Sequence, residues 1–208
     1  MRAVLVWLLR RSLSAGLRGV YLRGRLPAGA AVLAANHHSY FDGHLLWWLG
    51  RVAGRRLWLL VAKENLDAFP VLALEGALQA NRLRKAIRQL RLGGWVAVFV
   101  EGVLRYPGEL GPTKPGAGFL GRHAGVPVVP VALRVALRGW EHPEAFVWVG
   151  EPVGPEGDWA GALRHLLRTL DGLLAHTHPR ELPPGFVPIL AGRRSLDERI
   201  RSWAGRFR

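Results

Sequence analysis

The segment Asn36-His37-His38-Ser39-Tyr40-Phe41-Asp42-Gly43 holds the residue types best suited to chemistry in this chain. His37 and Asp42 are five positions apart. In a regular helix that is about 500° of rotation, so the two side chains would diverge. In a turn that enters a helix they can meet. A carboxylate bonded to one imidazole nitrogen fixes the tautomer and stabilises the imidazolium, and the other nitrogen can then take a proton from a hydroxyl. The pair would be a His–Asp dyad whose nucleophile comes from the substrate. A purely local reading uses the same residues. Ser39-x-x-Asp42 before an apolar run is a capping box, which by itself accounts for Asp42. The two readings are compatible, because a capped carboxylate is also a fixed one.

Such a segment needs a strand before it and a helix after it. Ala31 to Ala34 is a short apolar run that reads as a buried strand, and Leu45 to Leu49 begins a helix-like stretch. Arg56–Val61, Trp95–Val100, Val126–Val131 and Phe146–Val149 read as further strands. Pro127 and Pro130 argue against a central position for the third of these. Helices are expected over 64–75, interrupted by Pro70, over Leu83–Leu92 before Gly93-Gly94, and over Ala117–His123. Asp158 can cap a helix whose Leu163, Leu166, Leu167, Leu170, Leu173 and Leu174 keep a 3-4 spacing. Strands alternating with helices imply an α/β fold: a single-domain sandwich with a mixed, largely parallel central sheet flanked by helices. Loops that follow strands in such folds are where sites are built.

The first 25 residues read as an additional helix. Val6, Leu9, Leu13, Leu17 and Val20 fall near one face, and Arg10, Arg11, Arg18 and Arg25 cluster beside it. Its longest apolar run, Ala3 to Leu9, is far short of the roughly 20 residues a membrane span needs. Arg10 and Arg11 interrupt it too early for a cleaved signal. A basic, Trp-containing amphipathic helix suits a membrane interface, and equally a surface helix packed on its own domain.

The chain has 208 residues and a formal net charge of +14. Of its 29 basic residues only Lys63, Lys85 and Lys114 are lysines, and no acidic residue precedes Asp42. Arg193, Arg194, Arg199, Arg201, Arg206 and Arg208 form a second basic end. This balance points to an anionic partner: nucleic acid, a membrane surface or an acidic substrate. The absence of cysteine excludes a disulfide framework, thiol catalysis and Cys-ligated zinc. Half of the residues are hydrophobic, enough for a sizeable core. Gly116-x-Gly118-x-x-Gly121 formally fits a dinucleotide fingerprint but follows Pro112 and Pro115, not a strand. His176-x-His178 lacks further ligands nearby and reads as a surface pair.

Asn36-His37-x-Ser39-x-x-Asp42 resembles the first motif, N-H-x-S-x-x-D, of the glycerolipid acyltransferase family, the 1-acylglycerol-3-phosphate acyltransferases and their relatives. Four further blocks follow in the family's order. Lys63-Glu64-x-Leu66 with Pro70 is similar to its second region. Gly76-Ala77-Leu78 through Arg82 is similar to its G-A-I-x-x-x-R frame. Phe99-Val100-Glu101-Gly102 resembles F-P-E-G-T-R, and Lys114-x-Gly116-Ala117 with Ala124–Val131 resembles the fourth motif. The resemblance covers residues 34 to 133.

It implies transfer of a fatty acyl group from acyl-CoA or acyl-carrier protein to a lysolipid hydroxyl, foremost 1-acylglycerol-3-phosphate, giving phosphatidate. His37 would be the general base and Asp42 its orienting partner. Asn36, Ser39, Glu101, Gly102, Lys63 and Lys114 would line the site, with the two lysines among the candidate oxyanion donors. Arg82 would bind the acceptor phosphate, for which Arg is the natural bidentate partner. Pro127 would shape the acyl-donor side. No cofactor, metal or covalent enzyme intermediate is implied. The protein would be divided into a docking helix over 1–25, an acyltransferase domain over 26–180 and a basic tail over 181–208. It would lie peripherally on the cytoplasmic face of a membrane, with an anionic surface, a lysolipid and acyl-CoA or an acidic carrier protein as partners. Nucleic acid becomes the minor alternative. One departure stands out. Leu104 holds the position of the motif's Arg, the Thr is gone, and Arg105, one residue late, would bind the same phosphate only if the loop is rearranged. That leaves open an acceptor of another kind, a glycolipid or an isoprenoid alcohol. It also leaves open a lipid hydrolase using the same dyad with water, or a non-enzymatic binder of anionic membrane or nucleic acid on a degenerate scaffold.

Overall fold

The computed structural model describes residues 1–204, without the side chains of Arg201, Ser202 and Ala204. Its centre is one eight-stranded sheet in the order β4-β3-β5-β2-β6-β7-β1-β8. In chain order the strands are β1 Gly19–Arg23, β2 Ala31–Ala35, β3 Leu57–Val61, β4 Ala77–Gln79, β5 Trp95–Phe99, β6 Val128–Ala136, β7 Glu144–Val149 and β8 Val187–Ala191. The helices are α1 Arg2–Gly16, α2 Asp42–Val52, α3 Lys63–Ala68, α4 Leu83–Arg91, α5 Gly116–Ala124, α6 Trp159–His176 and α7 Leu196–Ala204, with a 3-10 turn at Pro70–Glu75. β2, β3, β4 and β5 pair in parallel, β6 adds in parallel to β2, and β7 turns back antiparallel on β6. The expected mixed, largely parallel α/β sheet is what forms.

Period-two alternation builds the two sides of the core. Along β2, Ala31, Leu33 and Ala35 face α1 and α2, where Leu13, Leu17, Leu45, Leu46 and Leu49 pack. Val32 and Ala34 face the opposite layer, where Ala86, Leu90, Leu120 and the α6 leucines Leu163, Leu166, Leu167 and Leu170 pack. The Asp158 carboxylate caps α6 by accepting from Gly161 N at 2.7 Å, a contact of a kind that contributes about 1 kcal/mol.

The structure corrects several expectations. The N-terminal helix ends at Gly16 instead of Arg25. Leu17 is extended (φ −120°, ψ 152°), and Gly19–Arg23 becomes a strand between β7 and β8. Leu17 and Val20 are buried as the helical periodicity required, but Val20 is buried by sheet pairing. β8, drawn from the segment assigned to the tail, pairs antiparallel with β1. Both segments outside 26–180 therefore contribute strands to the central sheet. β6 is an interior strand despite its prolines. Pro130 is tolerated because the β6–β7 ladder begins only at Val131↔Val149, so the missing N–H falls where no partner strand needs it. β4 was not expected at all. The segment assigned to the tail also contains α7, whereas Arg206 and Arg208 lie outside the described residues.

Part of the arginine content is structural. Arg18 stacks over Trp140 at 3.8 Å, Arg23 over Trp148 at 3.9 Å and Arg56 over Trp58 at 4.2 Å. A planar guanidinium does this better than an ammonium, at about 0.5–1 kcal/mol per exposed contact.

Candidate active site

The parallel strands β2, β3, β4 and β5 all end on one edge of the sheet, and the motif residues follow those ends. The loop after β2 carries Asn36 to Phe41, and α2 begins at Asp42. Asp42 is fully buried, and its Oδ2 accepts three N–H bonds: from His37 Nδ1 at 2.9 Å, His38 N at 2.7 Å and Ser39 N at 2.8 Å. The capping reading is half right. The carboxylate accepts from Ser39 N, but Ser39 Oγ accepts from Phe41 N at 3.2 Å, and Asp42 opens the helix instead of sitting a turn inside it. The cap and the dyad use the same oxygen. His37 lies flat on Phe99, with ring centroids 4.0 Å apart and planes 11° from parallel. Its Nε2 makes no hydrogen bond among the described residues, and a quarter of its side chain is open to solvent.

Asn36 sits behind this pair and does not line it. Its amide bonds both backbone groups of Leu133 in β6, donating at 3.1 Å and accepting at 2.8 Å. Neighbouring His38 reaches the same strand, its Nε2 accepting from Val135 N at 3.0 Å. That bond needs an unprotonated Nε2, and burial pushes the imidazole below its ordinary value, with the Arg134 guanidinium and His37 adding to the fall and Asp42 opposing it. Burial acts in the same direction on His44.

Glu101 is buried and organises backbone. Its Oε2 accepts from His37 N at 3.2 Å, its Oε1 accepts from Gly111 N at 3.0 Å, and Arg105 Nε stands 3.3 Å from Oε1. Arg105 N in turn donates to His37 O at 2.9 Å. The displaced arginine thus lies beside the dyad. Gly102 has φ +68°, and a Cβ there would stand 2.6 Å from Lys114 Nζ. The lysine therefore needs that glycine to approach the loop. Tyr40, Val103, Leu104 and Tyr106, the last 97% exposed, are large side chains left open to solvent in the two loops that carry these groups.

His37, Asp42, Glu101, Gly102, Arg105 and Lys114 are brought together. Ser39 and Asn36 hold the loop. Lys63 and Arg82 follow β3 and β4, on the same edge but two and three strands from β2, roughly 10 and 14 Å away laterally. Lys63 is exposed and paired with Asp67 at 2.5 Å, and that bond raises its ammonium above the usual range. Arg82 is exposed and makes no ion pair among the described residues. Pro127 does not reach the site: it precedes β6, whose start pairs with Val32 at the opposite edge of the sheet. Because β6 runs parallel to β2, its first residues cannot lie near the end of β2. Phe99, His38 and the β6 backbone were missed by sequence reasoning. Phe99 had a signal, since the last residue of a strand paired with β2 must flank whatever follows Ala35. Among the described residues no group of three or more His, Asp and Glu side chains is placed to hold a metal ion.

Comparisons with known proteins point to one family. The family model described as Acyltransferase matches residues 19–134, more than half of the chain. The chain is 28% identical over 110 residues to a chloroplastic 1-acyl-sn-glycerol-3-phosphate acyltransferase of Brassica napus, covering 49% of this chain and 32% of that one. It is 30% identical over 163 residues to an uncharacterised acyltransferase of Schizosaccharomyces pombe, covering 66% and 56%. It thus spans about a third to a little over half the length of these relatives. The 1-acyl-sn-glycerophosphate acyltransferase PlsC of Thermotoga maritima has the same fold, with a TM-score of 0.58 at 23% identity over 82% of this chain and 81% of that one. The matched region begins at β1 and takes in every motif described above, and on that ground the chain belongs to the acyltransferase family.

Proposed function

We propose that the protein transfers a fatty acyl group from a thioester, acyl-CoA or acyl-carrier protein, to the free hydroxyl of 1-acylglycerol-3-phosphate. The observation that carries this reading is the free Nε2 of His37, set by Asp42 on its other nitrogen, with Arg105 and Lys114 on the neighbouring loop. Nε2 takes the acceptor hydroxyl's proton as its oxygen bonds to the thioester carbonyl carbon. The tetrahedral intermediate collapses by breaking the C–S bond, and the imidazolium returns the proton to the leaving thiolate. Base catalysis of this kind contributes about 10² to 10⁴ in rate. The flat contact with Phe99 and the three-donor lock on Asp42 limit the imidazole to one orientation. Arg105, whose amide N bonds His37 O, and Lys114, packed against Gly102, lie on the loop beside the dyad and suit the acceptor phosphate or the developing oxyanion. An acceptor with a charged head and an acyl tail matches loops that carry both cations and exposed apolar side chains.

A peripheral position at the bilayer follows from the lipid substrate. No helix of the described residues is long and apolar enough to cross a membrane. α1 exposes Val4, Trp7 and Leu8 beside Arg10 and Arg11, the composition of an interfacial helix.

The test is acyl transfer by the purified protein in mixed micelles, with acceptors that do and do not carry the phosphate. Phosphatidate formed from 1-acylglycerol-3-phosphate, with monoacylglycerol a poor acceptor, supports the reading. Preference for the uncharged acceptor would overturn the phosphate assignment. Release of free fatty acid with no acylated lipid would overturn the transferase.

A further inference from the structure

The far end of α2 holds a second cationic feature that the chemistry above does not use. A cavity of about 370 Å³ opens there, bordered by Arg2, Arg51, Arg55, Arg56, Trp47 and Glu75. It lies at the edge of the sheet where β3 begins, with Leu57 in its wall. It is therefore opposite the edge that carries the dyad, about 14 Å along α2 from Asp42. Its one carboxylate is committed. Glu75 Oε1 accepts from Arg2 Nε at 2.6 Å, and Oε2 accepts from Trp47 Nε1 at 3.0 Å. The other three arginines make no hydrogen bond or ion pair with a carboxylate among the described residues, although, against the effect of burial, Arg51 is close enough to help hold the Glu75 carboxyl below its ordinary value. Arg55 donates to the carbonyls of Ala28 and Gly93, Arg56 lies over Trp58, and Arg51 makes no hydrogen bond among the described residues. Four guanidiniums around one carboxylate leave the cavity with three uncompensated positive charges.

The position of α1 says what reaches it. α1 runs antiparallel to α2: a Cβ on Gly16 would stand 2.5 Å from Phe41 Cζ at the start of α2, while Arg2 meets Glu75 at the cavity. Val71 and Leu74 of the 3-10 turn that ends at Glu75 are open to solvent, while the exposed Val4, Trp7 and Leu8 lie on the outer face of α1, roughly 140° to 240° around the helix from Arg2. Apolar side chains of the 3-10 turn thus stand next to a cationic cavity, the arrangement that meets a phospholipid: tails beside, phosphate within.

We propose that this cavity binds the headgroup phosphate of an anionic glycerophospholipid of the host bilayer, a lipid that is neither acceptor nor product at the dyad. The inference rests on the docking reading of α1. Bidentate arginine contacts supply the recognition. The lipid anchors the Arg2 end of α1 while the other end stays beside the catalytic loop. A soluble phosphate ester has the same charged chemistry but lacks the tails that the apolar border would meet.

The test compares the full-length protein with Arg51→Glu, Arg51→Gln and Arg164→Glu. Arg164 lies on α6, on the other side of the sheet, so its reversal changes net charge equally without touching the cavity. Binding is measured to phosphatidylcholine vesicles with and without phosphatidylglycerol, and to glycerol 3-phosphate in solution. Arg51→Glu should weaken binding to the phosphatidylglycerol vesicles about tenfold, Arg51→Gln by less, and Arg164→Glu about twofold or less, with acyl transfer in micelles unchanged in all three. Equal losses for Arg51→Glu and Arg164→Glu would overturn the site in favour of diffuse charge. Glycerol 3-phosphate binding that depends on Arg51, with vesicle binding that does not, would overturn the lipid source. Wild-type protein that ignores vesicles yet transfers acyl groups in micelles would overturn the docking reading and this site, and leave the catalytic reading standing.

Discussion

α2 has two functional ends, and they are built differently. At its first residue, Asp42 Oδ2 is held by three N–H donors and His37 is clamped between that carboxylate and Phe99. At its last turn, Arg51 has no hydrogen bond or ion pair among the described residues, and its neighbours bond carbonyls or lie on an indole. The first end must present one nitrogen in one direction, because a small misplacement of a general base is costly. The second needs charge and reach more than aim, because a headgroup phosphate offers several oxygens. Locked geometry marks the chemical end, and uncommitted cations mark the docking end.

The sharpest way to break this contrast is at the lock. Asp42→Asn should lower kcat by about 10³, since the amide no longer sets the imidazole tautomer or stabilises its charged form. It should leave vesicle binding intact, which co-sedimentation checks. Next comes Arg105→Gln. Loss of a charge-assisted bond predicts a roughly 10- to 100-fold fall in kcat/KM for the phosphate-bearing acceptor, with little change for an uncharged one. Arg51→Glu probes the other end and should show its effect only on vesicles. The smallest effect concerns His38. Its folded value lies below the ordinary 6.5 because it is buried, so the unfolded chain takes up a proton as pH falls through about 6.5 while the folded chain resists. The stability that neutral His38 supplies is present above that pH and lost below it. His38→Gln should flatten the fall of Tm between pH 7.5 and 5.5, and His44, shifted the same way, should leave a residual slope.

Sequence reading reached the dyad because His37 and Asp42 belong to one turn whose geometry is local. Glu101 and Gly102 were found by motif, but what Glu101 holds was not legible there. Its oxygens hold His37 N and Gly111 N, contacts that depend on the loop folding back after β5. Arg105 could be placed beside the dyad only through its amide bond to His37 O, which no spacing rule contains. Pro127 failed for a topological reason: strand direction, not sequence distance, decides which edge a residue reaches. The helix expected over residues 1–25 failed because Leu17 and Val20 suit a helical face and a strand equally well. Only the partners β7 and β8 decide between these, and they lie more than a hundred residues away.

The central claim is that His37 Nε2 removes the acceptor's proton. It is tested most directly by the single-turnover rate of acyl transfer for His37→Ala against wild type, with folding checked by Tm. A loss of about 10² to 10⁴ is expected, with the protein still folded at a lower Tm, because Asp42 keeps its two backbone donors when the Nδ1 bond and the Phe99 contact are lost. A His37→Ala protein that transfers acyl groups at the wild-type rate would contradict it.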